Sequence, residues 1–310
     1  HADLFRGFPN SYGTLGYALR LRIRLLPVRP YVRLTHLRFT DAAKCMLVLQ
    51  EICESGEFDG GAADFVDGTC FGPDELYLTV GQFADRAPYT SDYTGMRIYY
   101  RSIQQRSRDW LTVRDYLWRW DTDWFWCSRA FGVQKPLIRS LVPRRWLRSD
   151  VYRRLVGLDQ RYGLTARIGR WRGRPPQESV IQDIEVPIER ATEFLEFFHE
   201  KVGMTPVWLC PLKAQAAWPL YPLAPGRLYV NFGFWGMVDL PRGQYDGYYN
   251  RLIERRVHEL DGHKSLYSTS FYPREEFWRL YNGDAYWPVK RAYDPDGRLL
   301  DLYEKCVRGR

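Results

Sequence analysis

Val180-Ile181-Gln182-Asp183-Ile184-Glu185-Val186 is followed by Pro187 and then by Ile188, Ala191, Phe194, Leu195 and Phe198 at helical spacing, with Gly203 closing the run. A seven-residue stretch rich in β-branched residues predicts a strand; proline suits the first turn of a helix, and glycine its end. Strands at Val207–Leu212 and Leu228–Phe234 complete this unit. Upstream the same theme occurs. A strand at Tyr31–Phe39 precedes a helix opened by Asp41, with Ala42, Met46, Leu49 and Ile52 on one stripe. Two short strands follow between Phe65 and Val80, around the turn-forming Asp67-Gly68 and Gly72-Pro73-Asp74. The expected fold is α+β, with helices packed on an antiparallel sheet and a pseudo-duplicated unit over 31–85 and 180–235.

Around that frame, 310 residues with 45% hydrophobic and 26% charged side chains exclude disorder, collagen and a disulfide miniprotein. The net charge of +8 favours anionic partners without choosing among nucleic acid, phosphate cofactor and lipid head groups. Aromatic residues make up 16% of the chain, including 12 Trp and 22 Tyr, a composition suited to flat apolar ligands, interfaces or a membrane-surface belt. No signal peptide or spanning helix can be read. Cys45, Cys53, Cys70, Cys127, Cys210 and Cys306 lack the spacing of a metal site or a disulfide framework, so no metal is expected and a reducing, cytoplasmic compartment is.

Two further stretches stand out. Residues 18 to 25 alternate Leu19, Leu21, Ile23 and Leu25 with Arg20, Arg22 and Arg24, the pattern of a half-buried strand. From Tyr99 to Arg174, Trp110, Trp118, Trp120, Trp124, Trp126, Trp146 and Trp171 are interleaved with arginines, among them Arg144, Arg145, Arg148, Arg153 and Arg154. This belt either docks on an anionic membrane surface or fills the core of a cap with Arg outside. Nucleic-acid binding ranks below both, because no recognised signature accompanies it.

Asn10-Ser11-Tyr12-Gly13-Thr14-Leu15-Gly16 places two glycines around a hydroxyl residue, which lets backbone approach a ligand or simply makes a turn. This segment resembles the second half of the FAD-binding domain of the vanillyl-alcohol oxidase and p-cresol methylhydroxylase (PCMH) flavoprotein superfamily. Tyr99-Tyr100-Arg101-Ser102-Ile103, Asp115 to Asp121, Pro206-Val207-Trp208-Leu209-Cys210-Pro211, Leu266-Tyr267 and Arg274-Glu275-Glu276-Phe277-Trp278 resemble its delta-24 sterol reductase branch. The resemblance covers nearly the whole chain. It implies the end of a PCMH-type FAD-binding domain over 1–30, and a cap domain over 31–255 with the Trp/Arg insert at 99–174. A segment returning to the flavin would follow over 256–310. The superfamily's glycine-rich pyrophosphate loop and covalent-flavin histidine have no match and are expected upstream of residue 1, so the chain is expected to hold FAD poorly.

The resemblance further implies that Asn10 to Gly16 lie against FAD and that Lys264 faces the flavin's pyrimidine edge. A cation there would stabilise reduced anionic flavin. The implied reaction is reduction of a carbon–carbon double bond in a lipid, with NAD(P)H a candidate electron donor. An unactivated alkene needs a close protein acid in a dry pocket. Tyr267 is the first candidate; Glu185 and Asp183, two apart on one strand, are the second, and His263 a possible shuttle. An alcohol oxidase or dehydrogenase, or a basic lipid-surface binding module without catalysis, are the alternative readings.

Overall fold

The computed structural model describes residues 1–163, 167, 171, 173 and 175–309. A short helix, α1 (Ala2–Gly7), and the turn at 9–16 precede the first sheet unit. That unit comprises β1 (Tyr31–Phe39), α2 (Ala42–Ser55), a minor hairpin of β2 (Glu57–Phe58) and β3 (Gly61–Ala62), β4 (Phe65–Gly72) and β5 (Glu75–Ala84). Asp41 caps α2 by accepting the Lys44 N–H at 3.0 Å, and Gly56 ends it in the left-handed region (φ 69°). The insert contributes α3 (Tyr99–Ile103), β6 (Arg108–Thr112), α4 (Val113–Trp118), α5 (Pro136–Leu141) and α6 (Ser149–Tyr162). The second unit is β7 (Gln177–Pro187), α7 (Ala191–Lys201), β8 (Val207–Lys213) and β9 (Leu228–Asp239). After it come α8 (Tyr248–Glu259), β10 (His263–Lys264), α9 (Arg274–Leu280), α10 (Gly283–Tyr293) and α11 (Leu302–Cys306).

Eight strands form one antiparallel sheet in the order β10-β7-β9-β8-β4-β5-β1-β6. Each unit lays its third strand between its first and second, and the two meet where β4 pairs with β8. The duplication expected from the sequence is therefore present as a mirrored strand order. On one face α2, α7 and α8 bury Cys45, Leu49, Leu78, Ile184, Phe194, Phe198, Phe232 and Phe234. Fully burying such a side chain stabilises the fold by about 1.5–3 kcal/mol.

Two expectations are corrected. Residues 18–25 form no strand: Leu19, Leu21, Ile23 and Leu25 are exposed, and no backbone hydrogen bond joins this arm to the described residues. Alternation records a preference for strand, but a strand needs a partner, and neither terminal strand of the sheet, β6 or β10, pairs with this arm. Asp67-Gly68 is not a turn but the middle of β4, and the hairpin turns at Gly72–Asp74 alone. Gly68 is glycine because a Cβ there would lie 2.9 Å from the Tyr77 carbonyl and 3.1 Å from Leu209 Cβ.

The insert divides by position. Its first half covers the sheet face opposite the helices, burying Tyr93, Tyr99, Trp120 and Trp126 with Leu34 and Leu111. Arg119 is buried there, pairing with Asp67 at 2.8 Å beneath the Tyr116 ring. Trp118, Trp146 and Trp171 are exposed, so the core-filling reading holds for only part of the belt. The belt's end at Arg174, with 164–166, 168–170 and 172, lies outside the described residues.

The N-terminal turn packs on the C-terminal helices. Leu15 joins Leu266, Tyr272, Phe277, Tyr281, Tyr286 and Leu302 in a third core, and Lys290 Nζ donates to the Thr14 carbonyl at 2.8 Å and to Asp294 at 2.6 Å.

Candidate functional site

Register across the sheet assembles the site. Asp183 of β7 lies opposite Gly233 of β9, which lies opposite Trp208 of β8; Glu185 lies opposite Asn231 and, on the other side, His263. These side chains share the face without α2, α7 and α8, because residues two apart on a strand point the same way. Gly233 matters here. A Cβ on it would meet the Trp235 ring at 2.5 Å and Asp183 Oδ1 at 2.7 Å, so only glycine lets the indole lie across the sheet. The indole Nε1–H then donates to the Tyr267 hydroxyl at 2.9 Å.

Glu185 is buried and closely bonded. The Tyr221 hydroxyl donates to one carboxyl oxygen, and Asn231 Nδ2 (2.7 Å) and Ser265 Oγ (3.4 Å) donate to the other. Burial outweighs those bonds and raises its pKa to about 7. Asp183 is half-buried, with Oδ1 unpartnered, and burial raises its pKa to about 6. Tyr267 is half-exposed; partial burial and the neighbouring Asp183 hold its phenol protonated well above the usual range. Its oxygen accepts from Trp235, and its own hydrogen bond is made to the Asp183 carboxyl. His263 is buried against Tyr221 and Tyr281 with Nε2 unpartnered, and burial together with His258 lowers its pKa to about 4. It is neutral at pH 7.

An aromatic wall borders this strip. Phe125 stands 5.1 Å from Trp235 and 5.4 Å from Trp208, and stacks on Trp120 at 4.6 Å. Trp124, Phe125 and Trp126 all have left-handed backbone (φ 48°, 48° and 62°), a strain of about 1–3 kcal/mol per residue that packing must hold. Beneath them Asp123 is fully buried, and burial raises its pKa to about 7.

The turn and the β10 segment are neighbours: the Tyr12 hydroxyl accepts the Leu266 N–H at 2.9 Å. The groups that the resemblance turns toward FAD face inward, however. Thr14 Oγ1 donates to Ser11 O at 2.7 Å, and Ser11 and Leu15 are buried. The Tyr17 ring covers Gly13, where a Cβ would lie 2.9 Å away. Asn10 and Gly16 complete the turn with positive φ. Lys264 Nζ is fully buried, donating to Glu254 at 2.6 Å and to Thr269 O at 2.8 Å. As arranged, Ser11, Thr14 and Lys264 do not offer their side-chain polar groups to FAD.

Tyr267, Asp183, Glu185 and His263 do come together. Trp235, Tyr221, Asn231 and Ser265 were not singled out from the sequence, because each meets its partner through register or a distant loop. A visible signal existed in Asn231-Phe232-Gly233-Phe234-Trp235, where phenylalanines alternate with polar, small and amphipathic residues.

No family model matches the chain. Curated relatives do. It is 26% identical over 333 aligned positions to the Delta(24)-sterol reductase of Rattus norvegicus and 25% identical to that of Homo sapiens, each alignment covering 99% of this chain and 59% of the relative. To the Arabidopsis thaliana Delta(24)-sterol reductase it is 24% identical, over 100% of this chain and 60% of the relative. The chain thus spans less than two thirds of the length of the relatives it matches. Along its whole length this chain is a homologue of the proteins named Delta(24)-sterol reductase.

Proposed function

We propose that this chain is the substrate-binding and proton-donating part of an oxidoreductase that saturates a carbon–carbon double bond in a sterol-like lipid. One observation carries the assignment: a protonated Tyr267 on an open, aromatic-walled sheet face, its oxygen held by the Trp235 indole beside Asp183. Reduction adds a hydride to one alkene carbon and a proton to the other. Tyr267 gives the proton, and the Trp235 N–H stabilises the phenolate that forms. Asp183, protonated below about pH 6, is placed to restore the phenol. Phe125, Trp208 and Trp235, tilted 37–62° to one another, supply an apolar wall beside Tyr267 against which a lipid can pack.

A reduced FAD, which the sequence resemblance implies, supplies hydride when bound. The inward-facing turn and Lys264 do not fit that group as they stand, so the chemistry derived for this chain is limited to its own side chains. FAD binding, the PCMH-type assignment of 1–30 and NAD(P)H as reductant are part of the proposed reading. Weak FAD binding by this chain, measured by flavin fluorescence titration, is the expected result; a stoichiometric yellow complex would overturn it.

The test of the assignment is Tyr267→Phe in the full-length parent enzyme, with turnover and substrate affinity measured separately. General-acid loss lowers turnover about 10²–10⁴-fold while leaving substrate affinity near its parent value. Unchanged turnover removes Tyr267 from the reaction.

A further inference from the structure

The second half of the insert holds features that no role above uses. Residues 135–162 carry eight Lys and Arg against two Asp, a large part of the chain's net +8 in a short stretch. Arg139 is buried, donating to the Gly95 and Met96 carbonyls; Lys135, Arg144, Arg145, Arg148, Arg153, Arg154 and Arg161 are exposed. Among the described residues, Lys135, Arg145 and Arg153 form no ion pair.

Large apolar side chains stand among these cations. Leu137 and Leu141 on α5 are 75% and 77% exposed, and Trp146 lies open on the turn between α5 and α6. On α6, Leu155, Leu158 and Tyr162 form an exposed stripe at helical spacing, flanked on one side by Arg154 and Arg161. The inner side of α6 is fixed, because Tyr152 stacks on Trp124 and Phe131 and donates to Thr122 O at 3.0 Å. The stripe runs beside this anchored side and is 44–52% exposed. α5 is pinned to the 95–97 loop through Arg139, and the 144–146 turn to the adjacent Asp92 and Thr94 through Arg144. One rigidly backed surface therefore presents leucines, an indole and a phenol set in a field of guanidinium groups.

We propose that α5, the 144–146 turn and α6 form a docking surface for an anionic lipid bilayer. Charge complementarity selects this occupant. An amphipathic helix with cations beside its apolar stripe suits the boundary of head groups and acyl chains, where rings of Trp and Tyr also settle. Another protein could cover leucines, but the uncompensated guanidinium groups call for phosphates. The assignment stands apart from the reaction proposed above.

The experiment is co-sedimentation of this chain with vesicles of phosphatidylcholine alone and of phosphatidylcholine containing phosphatidylserine, at low and high salt. Binding to the anionic vesicles is expected to be at least about tenfold tighter and to weaken with salt. Arg145→Glu with Arg153→Glu and Arg154→Glu is expected to lower it about tenfold or more, and Leu137→Ser with Leu141→Ser to lower it similarly. Arg255→Glu on α8, an exposed charge reversal on the sheet face opposite the insert, should leave it unchanged. Thermal unfolding matching the parent shows that each variant is folded. Equal binding to both vesicles, no binding, or indifference to the α5–α6 substitutions would overturn the proposal. So would light scattering that shows Leu137→Ser with Leu141→Ser splitting an oligomer, since the face would then join two copies of the chain.

Discussion

The two units of the sheet share one topology and treat their helix-free faces differently. In the first unit α3, α4 and the aromatic core around Trp120 close over β1, β5 and β4, and the buried Arg119–Asp67 pair is sealed beneath. In the second, β7 and β9 leave Ser179, Met237 and Tyr267 exposed and Ile181, Asp183 and Trp235 partly so. One duplicated scaffold thus yields a closed half that anchors the aromatic wall and an open half that presents reactive groups. The insert, rather than the strands, decides which part of the sheet face stays open.

The comparison breaks most visibly at its buried cations. Arg119→Met in the closed half and Lys264→Met in the open half each strand a buried carboxylate, so both should cost about 3–5 kcal/mol in urea unfolding. A loss under about 1 kcal/mol for Lys264→Met would show that the two halves are not built alike.

Next is Glu185, whose proton is held to about pH 7 when folded and leaves near 4.5 when unfolded. The folded state binds more protons in that window, so this residue makes stability fall as pH rises through it. His263 acts with the opposite sign: depressed from 6.5 to about 4, it makes stability fall as pH drops. Glu185→Gln removes the first contribution. Relative to the parent, its stability should rise with pH by roughly 1.4 kcal/mol per unit between about 4.5 and 7. Parallel stability curves for the two proteins would count against a protonated Glu185.

Smaller effects separate the central glycines. Gly68→Ala and Gly233→Ala each force a Cβ into contacts under 3.0 Å and should cost about 1–3 kcal/mol. Only Gly233→Ala also displaces Trp235 and Asp183, so under the proposed function it alone should lower turnover as well. Smallest is Leu21→Ser on the exposed arm, expected within about 0.5 kcal/mol of the parent by thermal unfolding. A larger loss would mean that the arm packs.

The duplicated unit was legible because its signals are local: a β-rich run, Pro187, a helical stripe and Gly203 lie within one stretch of chain. Residues 18–25 misled because alternation records a preference for a strand and not the presence of a paired neighbour. The direction of Lys264 was unreadable, since Glu254 reaches it from α8. Asp183, Glu185 and Tyr267 could be singled out from the sequence, whereas Tyr221 and Asn231 could not, because a loop and a strand 36 and 46 residues from Glu185 deliver them.

The unpaired Leu-Arg arm has a consequence for how the molecule behaves in bulk. Its peptide groups are free to template a like segment, and a second molecule carries one with matching periodicity. Mutual repulsion of Arg20, Arg22 and Arg24 opposes that zippering, in the manner of gatekeeper residues beside sticky strands. Added electrolyte, by screening those guanidiniums, weakens this repulsion between copies in concentrated samples.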